Sequence, residues 1–116
     1  MRIRGIRGAT TAAENTREEI VAATKELLTE LIKANQLKIE EIASIIFSAT
    51  RDLSAEFPAV AARELGWNDT SLLCTSEIDV PGSLARCIRI LMQVNTDKPQ
   101  KEIKNIYLKE AVNLRR

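Results

Sequence analysis

Residues 87–95 read CIRILMQVN, and they alternate. Ile88, Ile90, Met92 and Val94 fall on one face, and Cys87, Arg89, Leu91 and Gln93 on the other. A side-chain period of two is the signature of a strand. Just upstream, residues 70–76 (TSLLCTS) read as another strand, and Val80-Pro81-Gly82 is a turn signal between the two. Downstream, Pro99 opens a short helical turn, and residues 105–108 read as a last strand. The later strands thus follow one another through short turns, which favours a mixed sheet with helices on one side over a doubly wound fold.

The first half of the chain supplies the helices. Residues 2–8 (RIRGIRG) read as a first strand whose alternation is broken, so a bulge is expected near Gly5. Thr16-Arg17-Glu18-Glu19 matches a capping box, with Thr16 as the N-cap and Glu19 reaching back. Ile20, Ala23, Leu27, Leu28, Leu31 and Ile32 then share one helical face to about Lys33, and Asn35 is the stop signal. Residues 38–42 read as a connector, residues 44–50 (SIIFSAT) as a buried strand, and residues 51–57 as a polar loop. Pro58 suits the first position of a second helix, which Gly66 ends. The result is a mixed α/β (α+β) chain, expected to form one domain over residues 1–116.

Composition narrows the function. The net charge is +1, so the basic excess of a nucleic-acid binder is missing. The longest apolar stretch, residues 43–49, falls far short of a membrane span. The first residues carry charges but no apolar core of a secretory signal, and Cys74 and Cys87 form no CxxC pair. A cytoplasmic protein with reduced thiols is the expectation. Aromatics make up only 3% of the residues, so an aliphatic core is expected to leave apolar surface for subunits to cover. There is no histidine, which removes Ser-His-Asp and Cys-His sites, HExxH zinc sites and histidine bases.

A few residues remain for chemistry. Arg89 interrupts an apolar strand, where it snorkels to solvent, pairs with a carboxylate or faces a cleft. Glu77 stands at a strand end, either solvated or part of a site. Cys74 reads as a core residue or a thiol, Arg7 as an edge residue or a carboxylate ligand, and Tyr107 as a core ring with its hydroxyl outside. RGIRGAT is no dinucleotide or Walker loop. Several arginines and one glutamate, without an ordinary base, suit a reaction driven by orientation and fixed charge.

At these residues the chain closely resembles the small trimeric chorismate mutases of the bacillus type. The resemblance is carried by RGIRGATT at 4–11, SATRDLSAEFPAVAARELGW at 48–67, LLCTSEIDVPGSLARCIR at 72–89, NTDKPQKEI at 95–103 and YLKEAVNLR at 107–115. It implies conversion of chorismate to prephenate, on the route to phenylalanine and tyrosine, without a cofactor or metal. It also implies a homotrimer that forms a pseudo-α/β barrel with sites between subunits. Arg7 is then expected on the side-chain carboxylate with Tyr107 nearby, and Arg89 on that group and the ether oxygen. Glu77 and Cys74 are expected at the ring hydroxyl, and Phe57, Ala59 and Arg63 as the neighbour's lining. Leu73 is also expected to touch substrate, and Leu114 and Arg115 belong to a C-terminal segment at the mouth. Three departures stand out. Val60 replaces a basic residue after FPA, Arg51 replaces a proline after SAT, and the chain stops at Arg116, where relatives often continue. Two other readings stand beside it: a non-catalytic ligand-binding or regulatory trimer that keeps the scaffold, and a different small trimeric α/β enzyme acting on an imine or enamine.

Overall fold

The computed structural model describes residues 1–114. Its strands are β1 (Arg2–Thr11), β2 (Ile42–Ala49), β3 (Ser71–Ser76), β4 (Cys87–Thr96) and β5 (Ile106–Tyr107), in the sheet order β3-β2-β4-β1-β5. β4 runs antiparallel to both β1 and β2, while β2–β3 and β1–β5 are parallel. The helices are α1 (Arg17–Asn35) and α2 (Val60–Glu64). The expected mixed sheet is present, although β3 and β4 do not pair directly: β2 lies between them.

Register assigns every strand a covered face and an opposite, open face, the latter exposed at Arg7, Leu73, Arg89 and Leu91 but closed over at Ala9, Thr11 and Cys87. On the covered face lie Ile6, Ile45, Phe47, Ile88, Ile90, Met92 and Val94, each at most 3% exposed. Ile20, Ala23, Leu27, Leu28 and Leu31 of α1 are buried, the last three packing against the main sheet core. Gly8 fixes how close helix and sheet come. A Cβ added there would stand 3.0 Å from Leu31 Cδ1 and 3.1 Å from Leu27 Cδ1. Gly8→Ala is therefore expected to overpack this seam at a cost of about 1–3 kcal/mol, read as a drop in melting temperature. An unchanged melting temperature would show that α1 can retreat freely.

Local details differ from expectation in four places. The β1–β4 register runs unbroken through Gly5, and the irregularity lies instead in β2, between Ile42 and Ser44. Thr16 caps α1 by accepting the Glu19 N–H, but its own N–H goes to the Glu14 carbonyl, so the reciprocal half of the box is replaced by a turn. Asn35 does not stop α1 by conformation. It is the last helical residue, and Gln36, at φ 53°, makes the left-handed cap. The buried Asn35 amide instead bonds the Lys104 N–H and carbonyl, tying the chain before β5 to the helix end. Finally, the turn at Pro58 and Ala59 has three-residue hydrogen-bond spacing, so α2 proper begins only at Val60.

Candidate active site

The open face carries a row of residues directly opposite one another across five strands. Thr75 faces Ser48, Ser48 faces Arg89, Arg89 faces Ala9, and Ala9 faces Tyr107. The next row reads Leu73, Ile46, Leu91, Arg7. Small neighbours at Ser48 and Ala9 leave room around the Arg89 guanidinium, whose side chain is 51% exposed. Glu77, one residue beyond β3, reaches over the end of β2 to Arg89, with Oε1 3.6 Å from Nε. Its amide donates to the Ala49 carbonyl, which holds the carboxylate above the sheet end. A half-exposed pair at this distance contributes little to stability. Its effect is on geometry: it keeps a cation and an anion side by side on an open surface.

Arg7 is held from behind, where its N–H donates to Asn105 Oδ1 at 2.8 Å. Arg7, Ala9, Arg89, Tyr107 and Leu114 line a cavity of about 220 Å³. That is less than the roughly 300–1,000 Å³ of sites that enclose a small molecule. Arg115 lies outside the described residues.

The remaining expected residues lie elsewhere in the subunit. Cys74 pairs with Phe47 and so faces the covered side, opposite to Arg89. With Phe57, Pro58 and Thr75 it lines a second cavity of about 420 Å³. Phe57 is 67% exposed there, unusual for a phenylalanine in a loop. Burial pushes the Cys74 thiol up, with the Ala59 backbone opposing. Burial also pushes up Cys87, against the pull of nearby Arg89. Both groups are therefore protonated at neutral pH and poor nucleophiles. Leu73 is on the open face and 61% exposed. Arg63 donates to the carbonyls of Trp67 at 2.6 Å and Thr70 at 3.1 Å, so here it ties the end of α2 to the start of β3. Val60 is partly buried and packs against the core.

The residues therefore fall into two groups. Arg7, Glu77, Arg89, Tyr107 and Leu114 belong to one part of the surface, and Phe57, Ala59 and Cys74 to another. Sequence reasoning missed the polar clasp behind the first group, formed by Thr50, Asp52 and Arg86. A threonine followed two positions later by an aspartate after a strand is turn chemistry, and was its one available signal.

A family model described as Chorismate mutase type I matches residues 3–116. The chain is 50% identical to Chorismate mutase AroH of Bacillus subtilis, an alignment covering 99% of this chain and 91% of that protein. It is also 50% identical to Chorismate mutase AroH of Thermus thermophilus, covering 97% and 93%. A solved chorismate mutase from Clostridium thermocellum superposes with a TM-score of 0.91 at 57% identity, covering 92% of this chain and 96% of that one.

Proposed function

The chain belongs to the chorismate mutase type I family and converts chorismate to prephenate; we propose that it does so by holding the substrate among fixed charges, with no covalent step and no proton transfer. In this rearrangement one C–O bond breaks as one C–C bond forms within a single molecule. No nucleophile or base is needed. The flexible enolpyruvyl arm must be folded over the ring, which is a problem of orientation. Two carboxylates call for guanidinium forks, and Arg7 takes the side-chain carboxylate with Tyr107 beside it. Partial negative charge grows on the ether oxygen as its bond stretches. Arg89 stabilises that charge more than the ground state, and only such a difference lowers the barrier. Glu77 orients Arg89 and meets the ring side of the substrate.

The observation that carries this reading is the exposed Arg89 paired with Glu77 on the open face, one row from Arg7. The division of the other residues supports a site completed by a neighbour. Phe57, Ala59, Arg63 and Cys74 of one subunit would close the shallow cavity of the next, with Leu73 meeting the substrate from the open face, in a homotrimer whose open sheet faces turn inward as a pseudo-α/β barrel. Leu114 would stand at its mouth. Residues 1–116 act as one domain in this arrangement. Among the described residues no helix is long and apolar enough to cross a membrane. The enzyme would act in the cytoplasm, in aromatic amino-acid biosynthesis. The test is to add chorismate to the purified protein and follow its loss and the appearance of prephenate. Saturable conversion supports the assignment. Saturable binding without conversion would favour a regulatory trimer.

A further inference from the structure

Asp52 makes a contact that the reaction itself does not require. It lies in the loop after β2, and its carboxylate accepts the Arg86 N–H through both oxygens, at 2.9 Å and 3.2 Å. It also accepts the Thr50 hydroxyl proton. Thr50 Oγ1 in turn accepts the Cys87 N–H at 3.0 Å, and the Thr50 N–H donates to the Cys87 carbonyl. On the far side, Arg86 exchanges backbone and side-chain hydrogen bonds with Ala12 at the end of β1. Arg86 itself has φ 47°, a left-handed conformation that residues with a side chain rarely adopt. The clasp thus holds an unfavourable backbone turn immediately before β4, three residues from Arg89. Its other end adjoins Ala49, the residue whose carbonyl holds the Glu77 amide.

We propose that Asp52 is a positioning residue for the rearrangement: by gripping the Arg86 amide it sets where β4 begins, and so where the Arg89 guanidinium stands against Glu77. This rests on the chorismate mutase reading of the site. In a reaction driven by orientation, a displacement of the order of 1 Å costs about a hundredfold. Asp52→Ala is therefore expected to lower kcat on chorismate by about ten- to a hundredfold, while KM moves by about threefold or less. Asp52→Asn keeps an oxygen to accept the Arg86 N–H and should retain kcat within about threefold of the parent. Adding Arg86→Gly to Asp52→Ala removes the backbone penalty and should restore most of kcat.

The experiment is steady-state kinetics on chorismate with melting temperatures, for the parent and all three proteins. Parental kcat in a folded Asp52→Ala protein overturns the proposal. So does an Asp52→Asn protein as poor as Asp52→Ala, or a double variant that regains the melting temperature but not kcat. If Asp52→Ala does not fold, Thr50→Val takes over the test, since it removes the hydroxyl linking Asp52 to Cys87. A fall in kcat supports the clasp, and parental kcat overturns it. A parent without turnover on chorismate refutes the functional reading itself. An active parent with an indifferent Asp52→Ala refutes the clasp alone.

Discussion

Arg89→Ala is expected to lower kcat/KM on chorismate by at least about a hundredfold, equivalent to roughly 3 kcal/mol or more of lost transition-state stabilisation. The loss should fall mainly on kcat, because the charge Arg89 meets is largest when the C–O bond is half broken. Arg89→Lys should also be poor, since an ammonium on a flexible stem cannot reproduce a planar fork. The fold should not suffer. The Arg89 side chain is half exposed and its pairing with Glu77 is long, and the only buried partner truncation removes is the weakly hydrogen-bonding Cys87 thiol. Steady-state kinetics beside a melting curve separates the two effects. Turnover within a few-fold of the parent would remove Arg89 from the chemistry.

Leu91→Asp is expected to abolish assembly and, with it, most of the activity. Leu91 lies on the open face, 38% exposed, between Ile46 and Arg7 in the cross-strand row that also holds Leu73. In the proposed trimer this row is covered, and a carboxylate there loses its water without gaining a partner. Such a charge costs about 3–5 kcal/mol in each copy, which three copies multiply. Sedimentation should show monomers, and turnover should fall at least about tenfold, because each shallow cavity loses its second wall. An assembled, active Leu91→Asp protein would contradict the interface reading. In an isolated subunit the same change would be harmless, so the variant discriminates sharply.

The strands and helices were legible because they depend on local period. The alternation of residues 87–95 predicted the two faces of β4, and the apolar stripe from Ile20 to Leu31 predicted the covering face of α1. What depended on pairing between distant segments was not legible. Whether Cys74 shares a face with Arg89 is set by the register of β3 on β2 and of β2 on β4. A shift of one residue would reverse the answer, and no local pattern fixes it. The irregularity at Ile42 and Ser44 was hidden for the same reason. Gly5 looked like a bulge because it lacks a side chain, yet it pairs regularly with Gln93. Asn35 looked like a cap because asparagine tolerates a left-handed turn. Its amide instead serves Lys104, 69 residues later in the chain. Asp52 reads as an ordinary loop residue, although it reaches 34 residues ahead to Arg86.

If fixed charge and orientation, rather than proton transfer, drive the reaction, solvent protons take no part in it. The experiment is single-turnover conversion of chorismate in H2O and in D2O, with the product examined for deuterium. Prephenate is expected at the same rate in both solvents, with no solvent deuterium bound to carbon. A rate clearly slower in D2O, deuterium bound to carbon, or no prephenate at all would contradict it.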